Sequence, residues 1–218
     1  MQPRATLRRH ESASVSWEMA TRPPHPALEG AVHRYVGYVE RSCTPVSRRE
    51  VPQDQITVIL GFGAPLTIGG ADQPAQRRGS FVAPLNDGYA ITEFTGLSHG
   101  LQIDLSPLAA RALFGVPMRE LDALVVDLED LLGASSRRLV EQLYEAPSWD
   151  SRFDLLDRTI WRRLEQTPRA SPDVTWAWRR LRETSGRLAI GELAGTTPST
   201  YIGCLRPDGI GVRAQVGA

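Results

Sequence analysis

Side chains that could bind a metal ion or act as nucleophiles are few in this 218-residue chain. No His-x-His pair occurs among its four histidines, which are His10, His25, His33 and His99. Its two cysteines, Cys43 and Cys204, lie far apart. Zinc and related sites need closely spaced sets of such ligands. The sequence therefore predicts ordinary thiols, with no disulfide and no metal site.

Motifs of enzyme active sites are not found in the sequence either. The glycines at 61 and 63 do not open into a helix, as a dinucleotide-binding loop would. There is no Gly-x-Ser-x-Gly turn, and no Ser/His/Asp or Cys/His set can be placed from spacing alone. We therefore predict that the protein is not an enzyme and carries no cofactor.

Arginine is the residue type with the clearest potential for binding chemistry. All 25 basic residues are Arg, and they are balanced by 25 acidic residues, with an acidic middle and a mildly basic end. Guanidinium groups bind DNA phosphates. The candidates are Arg179, Arg180, Arg182, Arg187, Arg206 and Arg213. The alternative is that these arginines form a solvated helix face.

Short β-strands are predicted between residues 32 and 106, where β-branched and aromatic residues are interrupted by turn formers. Strands at near-regular spacing, without helices between them, favour a sandwich or small barrel over a doubly wound α/β sheet. A cupin-like half-barrel fits this pattern. The predicted strands span residues 32–40, 55–62, 64–70, 79–84, 89–96 and 100–106.

Helices are predicted after the strands. Ser106 is suited to cap a short helix that contains Pro107 in its first turn and ends at Gly115. Ser148 and Ser171 are the corresponding start signals of two longer amphipathic helices. Residues 127–133 and 135–144 also have helical spacing of apolar residues.

Residues 1–30 are predicted to form a flexible leader. Arg4, Arg8 and Arg9 are not followed by the apolar segment of a secretory signal. No apolar stretch approaches the roughly 20 residues that a membrane span needs. With 41% hydrophobic and 23% charged residues, the composition is ordinary for a globular protein. We expect a cytoplasmic protein with no membrane partner.

Three phrases occur in an order that resembles a known family. They are LSPLAARALFGVPMREL at 105–121, VVDLEDLLG at 125–133, and a W-x-x-R-F-x-L-L-D helix at 149–157. Together with the strands before them, they resemble the sensing domain of AraC-type (AraC/XylS) bacterial transcription regulators, over about residues 32–165. The resemblance implies a β-rich sensing or dimerisation domain with closing helices over residues 31–165.

Residues 172–218 resemble part of the DNA-binding region of that family. Residues 174–181 are similar to its first helix, and 186–194 to the first helix of its first helix-turn-helix unit. The following segment is a few residues short, with Pro207 where a helix would still continue. The second unit has no counterpart here. The expected fold class is thus α+β, a cupin-like β-barrel or sandwich followed by helices and a partial, truncated helix-turn-helix.

The resemblance also implies a function and its site residues. We predict an effector-responsive, sequence-specific DNA-binding regulator, whose partners are double-stranded operator DNA, a small-molecule effector and a second copy of the chain. The alternative is a truncated member that lacks DNA binding and acts as a ligand-binding or dimerisation module. The residues implied to contact DNA are Arg187, Ser199, Thr200, Tyr201 and Arg206.

An effector cavity is expected in the β-rich domain, because the mouth of a small barrel is a natural apolar cavity. Its aromatic lining would come from six residues that otherwise form plain core. They are Trp17, Tyr38, Phe62, Phe81, Tyr89 and Phe94.

Overall fold

A computed structural model describes residues 3–70, 74–121, 125–168 and 170–188. Within these ranges, nine β-strands precede or interrupt five α-helices, and two short 3₁₀ helices occur at Pro26–Leu28 and Met118–Glu120. The strands are β1 Thr6–Glu11, β2 Val15–Arg22, β3 Val32–Glu50, β4 Ile56–Gly61, β5 Leu66–Gly70, β6 Gln76–Arg78, β7 Phe81–Ala83, β8 Ala90–Leu105 and β9 Val126–Asp127. The helices are α1 Pro107–Phe114, α2 Leu128–Leu132, α3 Ala134–Glu145, α4 Trp149–Gln166 and α5 Pro172–Glu183.

All strand pairs are antiparallel and belong to one sheet. Its order is β1-β2-β3-β8-β4-β7-β9, and β5 pairs with both β8 and β6. Within the described residues this path does not close on itself, so the sheet is not a barrel. The α+β class predicted from the sequence is confirmed, with an open, bent sheet followed by helices.

The centre of the sheet is the long antiparallel pair of β3 and β8. The pairing runs from Val32 opposite Leu105 to Glu50 opposite Ala90, with a register shift between Ser42 and Val46. Gly96, which pairs with Ser42 next to that shift, has a φ of 79°. This backbone conformation suits glycine. The two strands predicted at 89–96 and 100–106 are therefore one strand, because β3 supplies hydrogen-bond partners on both sides of the glycine.

The expectation of a flexible leader needs correction for residues 3–30. β1 pairs with β2, and β2 pairs along its whole length with β3. The sequence signal for β2 is the alternation of Val15, Trp17 and Met19. A contact with α4 also holds this segment, since the Ala5 amide donates to Asp150 Oδ1 at 2.7 Å.

The helices confirm the start signals read from the sequence. Ser106 accepts a hydrogen bond from the Ala109 amide, and Gly115 ends α1 in the left-handed conformation. Ser148 caps α4 and Ser171 caps α5 in the same manner as Ser106. Each serine oxygen satisfies an amide that the helix cannot pair internally. The starts of these helices are therefore set by residues within one turn.

The main core lies between one face of the sheet and the helices. Tyr35 and Leu101 from the sheet pack with Phe153 and Leu156 of α4, and all four are buried. Gly37 allows α4 to approach closely, because a Cβ there would lie 2.3 Å from the Trp149 ring. The opposite face of the sheet has only a small apolar cluster of Ile59, Ile68, Phe81 and Val125. We call these the helix-covered face and the open face.

Candidate ligand cavity

A cavity of about 250 Å³ lies on the open face of the sheet. Side chains two residues apart point to the same side of a strand, so β3 contributes Val36, Tyr38 and Glu40, and β8 contributes Ser98 and Gln102. Strands β4, β5 and β7 add apolar walls, and residues 51–55 add part of the rim. The sheet thus forms a pocket with polar groups on its floor and aliphatic and aromatic groups on its sides.

The dominant polar feature of the cavity is an ion pair between Glu40 and Arg48. Arg48 Nη1 donates to Glu40 Oε1 at 3.0 Å, and its Nη2 donates to Glu40 Oε2. The Glu40 side chain is 5% exposed, whereas that of Arg48 is 47% exposed. The hydrogen bonds that Arg48 donates to Glu40 raise the pKa of Arg48, against an opposing effect of burial. Glu40 is therefore held inside the cavity, and Arg48 contacts it from a partly exposed position.

This ion pair exists only because β3 bends. Eight residues of straight strand span about 26 Å, which is too far for two side chains of these lengths to meet. The register shift between Ser42 and Val46 lies between the two residues, and irregularities of this kind bend a strand. The bend brings Arg48 back over Glu40, where its guanidinium also lies 5.6 Å from the centre of the Phe94 ring.

Tyr38 adds a neutral hydroxyl to the cavity. Burial and, secondarily, the charge of Glu40 raise the pKa of its phenol well above the ordinary value. The residue opposite it on β8 is Gly100, where a Cβ would lie 2.7 Å from Tyr38 Oη and 2.6 Å from the Leu60 carbonyl oxygen. Gly100 therefore provides the space that the tyrosine occupies.

A buried carboxylate next to the cavity orients the Gln102 amide. Asp104 is fully buried and pairs with the Nε of Arg34. It also accepts hydrogen bonds from Thr57 Oγ1 at 3.1 Å and from Gln102 Nε2 at 2.9 Å. Because Asp104 engages its nitrogen, the Gln102 amide is held in one orientation at the wall of the cavity.

The charges that line the cavity are acidic on balance. Among the described lining residues, two carboxylates, Glu40 and Glu50, stand against one guanidinium, Arg48, which leaves a formal charge of −1. Glu50 accepts a hydrogen bond from Thr92 Oγ1 at 3.0 Å. Val51, which is 62% exposed, also lines the cavity and places its mouth next to solvent.

The structure divides the six predicted aromatic lining residues into two groups. Tyr38, Phe81 and Phe94 line the cavity. The others have different partners, since Trp17 stacks with His10, Phe62 contacts His99 edge-on, and Tyr89 lies under Arg49. Glu40 and Arg48 were not predicted as lining residues. The available signal was an acidic residue two positions after Tyr38, which a strand places on the same face.

Of the residues implied to contact DNA, only Arg187 lies in the described part of the chain. It is exposed directly after α5, and its amide donates to the Thr184 carbonyl at 3.0 Å. Ser199, Thr200, Tyr201 and Arg206 lie outside the described residues, as does Arg213.

The arginines of α5 are engaged with carboxylates. Arg180 pairs with Glu183 at 3.0 Å, and Arg179 approaches the same residue at 4.0 Å. Arg182 Nε donates to Asp54 Oδ2 at 3.1 Å. This last contact joins α5 to the loop between β3 and β4.

The histidines are dispersed, since His10, His33 and His99 lie on β1, β3 and β8 and His25 precedes the first 3₁₀ helix. Within the described ranges no three His, Cys, Asp or Glu side chains are grouped as metal ligands. His25 Nδ1 accepts from the Ala27 amide. Burial is the largest cause that lowers the pKa of both His33 and His99. In the part of the chain that the structure describes, no helix has the length and apolar character needed to cross a membrane.

Comparisons with known proteins found similarity at the level of structure only. No family model matches the sequence, and no curated protein matches it. The AraC-like transcriptional activator CuxR is 16% identical, with a TM-score of 0.45 over 87% of this chain and 74% of that one. A predicted oxalate decarboxylase from Thermotoga maritima is 10% identical, with a TM-score of 0.34 over 47% of this chain and 93% of that one. A cupin domain from Bordetella pertussis Tohama I is 13% identical, with a TM-score of 0.23 over 49% and 97%.

Proposed function

We propose that this protein is an effector-responsive transcription regulator of AraC type, and that the cavity on the open face of the sheet is its effector site. The observation that carries the proposal is the cavity itself, in which the Glu40–Arg48 pair lies among apolar walls and further polar side chains. Small-molecule sites in proteins combine apolar walls with a few fixed polar groups in this way. The order of family-like phrases over residues 105–157 supports the assignment to regulators.

The contact between α5 and the cavity rim supports a route from the effector cavity to the proposed DNA-binding region. Gln53 and Gln55 line the cavity, and Asp54 between them accepts the hydrogen bond from Arg182 of α5. A ligand that moves this loop would shift Asp54 and so alter its hydrogen bond with Arg182 of α5. The helix leads into the region that we propose to bind DNA. We therefore propose that the effector acts through the position of α5.

Two parts of the chain have different proposed roles. Residues 31–165 form the sensing or dimerisation domain, and residues 172–218 form the DNA-binding region. In the latter, the proposed DNA-binding residues are Arg187, Ser199, Thr200, Tyr201 and Arg206. Ser199 would cap the recognition helix, and Thr200, Tyr201 and Arg206 would reach DNA. Operator DNA, a small-molecule effector and a second copy of the chain are the proposed partners.

The test of regulator function is binding of the purified protein to DNA that flanks its own gene, titrated with salt and compared with unrelated DNA. We expect specific retention that Arg206→Ala weakens. Arg137→Ala is the matched control, because Arg137 is exposed, pairs with Glu129 and lies outside the proposed DNA-binding region of residues 172–218. Equal binding of both DNAs, or equal effects of the two substitutions, would contradict the proposal.

The alternative is a ligand-binding or dimerisation module without DNA binding. The observation in its favour is that all three arginines of α5 lie near carboxylates, which leaves fewer free cations for phosphates. Protein that binds ligand or forms a stable dimer, but does not retain DNA at low salt, would establish this alternative.

A further inference from the structure

We propose that the cavity takes a small organic cation, an amine or amidine attached to a ring, whose charged group replaces the Arg48 guanidinium on Glu40. This inference rests on the proposed effector site and specifies its ligand class. Without ligand, the Arg48 guanidinium takes the place of that charged group on Glu40. Four features of the cavity carry the inference.

The first feature is that Glu40 cannot leave the cavity. It lies on the part of β3 that is hydrogen-bonded on both sides, opposite Trp17 of β2 and Ser98 of β8. Its side chain is 5% exposed. Once a ligand fills the cavity and excludes water, a buried carboxylate without a partner is strongly unfavourable. Any ligand that displaces Arg48 must therefore supply a positive charge or several hydrogen-bond donors.

The second feature is that Arg48 can leave. Its side chain is 47% exposed, and it lies beyond the register shift of β3, in a segment whose residues are mostly exposed. Displaced from Glu40, the guanidinium is free to enter water, where an Arg is well solvated. The two partners of the pair therefore differ in mobility, and only the cation can be exchanged.

The third feature is the charge of the cavity. With Arg48 in place, Glu40 and Glu50 give the lining a formal charge of −1, and without it the charge is −2. An anionic ligand would have to approach both carboxylates in a partly desolvated space, where like charges repel strongly. A cation is attracted by the same arrangement.

The fourth feature is the shape of the walls. The Phe94 ring already accommodates the planar cation of Arg48 at 5.6 Å, and a ligand amidine in that place would keep the cation–π contact. Ile59, Ile68 and Phe81 provide the apolar surface for a ring. Since an apolar cavity of about 150 Å³ holds benzene, a cavity of about 250 Å³ has room for a ring with a charged group.

Three ring compounds of similar shape but different charge test the inference. We would measure binding of benzamidine, benzamide and benzoate to the full-length protein by ligand-observed NMR and thermal shift. We expect benzamidine to bind at least about tenfold more tightly than benzamide and benzoate not to bind. Glu40→Gln should abolish this preference. Arg48→Gln should strengthen benzamidine binding, because it vacates Glu40.

Two controls keep this experiment interpretable. Arg49→Gln removes a neighbouring cation that lies over Tyr89, outside the cavity lining, and should leave benzamidine affinity unchanged. The double variant Glu40→Gln/Arg48→Gln removes both charges together and should fold without the cation preference. If the unpaired carboxylate prevents Arg48→Gln from folding, loss of the benzamidine preference in both Glu40→Gln and the double variant still tests the inference.

The outcomes separate the ligand class from the effector site. Binding of benzamide or benzoate in preference to benzamidine, lost when Phe94 is replaced by Ala, would overturn the cation proposal and retain the cavity as a ligand site. Benzamidine binding that Glu40→Gln does not alter would place the cation elsewhere and overturn the proposal. Failure of all three compounds to bind would count against both the cation and the effector site.

Discussion

The two faces of the sheet each contain a buried carboxylate paired with an arginine, but the pairs differ in enclosure. On the helix-covered face, Arg22 is 2% exposed and donates to Asp157 at 2.7 Å and Asp154 at 2.6 Å. On the open face, Arg48 is 47% exposed above Glu40. The same chemistry therefore stabilises a helix in one place and leaves an exchangeable cation in the other.

Enclosure changes what each pair can do. Asp157 also accepts hydrogen bonds from the Tyr35 hydroxyl and the His25 amide, both at 3.0 Å. Its carboxylate thus links α4 to β2, β3 and the segment between them. Because the Arg22 side chain is 2% exposed and that of Asp157 is 8% exposed, this pair is far less accessible to a ligand than the Glu40–Arg48 pair. Glu40 has a cavity above it, so its partner can be replaced while the sheet stays intact.

The largest expected effect is that of Asp157→Ala. Removing this carboxylate leaves the buried Arg22 without its better enclosed partner and frees two further donors, so the free energy of unfolding should fall by about 3–5 kcal/mol. Urea denaturation measures the change. The control is Asp154→Ala, since Asp154 is 45% exposed, and equal losses for the two variants would contradict the enclosure argument.

The next effect is that of Gly37→Ala. The added Cβ would lie 2.3 Å from the Trp149 ring, so α4 must move away from the sheet. Overpacking of this kind costs about 1–3 kcal/mol. Gly63→Ala is the matched control, because no atom lies within 4 Å of a Cβ there. A neutral result for Gly37→Ala in thermal or urea unfolding would mean that α4 packs less closely than the structure has it.

A smaller effect is expected for Arg48→Gln. The substitution leaves Glu40 without its ion pair, but the cavity admits water to the carboxylate, so we expect a loss of about 1–2 kcal/mol. The double variant Glu40→Gln/Arg48→Gln should recover most of it. A loss as large as that of Asp157→Ala would show that the open face is as tightly enclosed as the other, and would remove the contrast on which the exchangeable cation depends.

The smallest expected effect is a pH dependence that arises from His99 on the helix-covered face. Burial, Arg152 of α4 and Arg41 of β3 lower its pKa below the ordinary 6.5, against the opposing charge of Glu18 of β2. The unfolded chain therefore binds the proton more readily, and stability falls as the pH drops below about 6.5. His33, whose pKa is also lowered by burial, contributes in the same direction.

Urea midpoints at pH 7 and pH 5 test this dependence. His99→Gln should reduce the loss of stability between the two values, whereas the exposed His10→Gln on β1 should not. Glu18, whose pKa is lowered from 4.5 mainly by the hydrogen bond from Trp149, loses its contribution only at lower pH. If the wild-type midpoint rises on acidification, the sign argued for His99 is wrong.

The sequence predicted best those elements whose signals are local. The caps at Ser106, Ser148 and Ser171 and the left-handed Gly115 depend on residues within one turn, so the helices begin and end close to the predicted positions. β2 was missed because its strand pattern follows an arginine-rich segment that is typical of a leader. β8 was divided because Gly96 resembles a strand end unless its partner strand is known.

The sequence predicted a cavity in the β-rich domain, but only part of its lining. Tyr38, Phe81 and Phe94 were among the expected lining residues, because an aromatic residue in a strand faces either core or cavity. Glu40 and Arg48 were not among them. Their separation along the chain is too long for contact in a straight strand, and only the bend of β3 joins them.

By itself, the sequence determined the helices, most of the strands and the α+β class, because capping groups and apolar periodicity act over a few residues. Tertiary structure decided which face of the sheet α4 covers and which face keeps a cavity. It also decided that one arginine is enclosed and the other exchangeable. The physical reason is that the enclosure of a side chain depends on strand register and bending. Both are set by pairings between residues that are far apart in the sequence, such as Glu50 and Ala90.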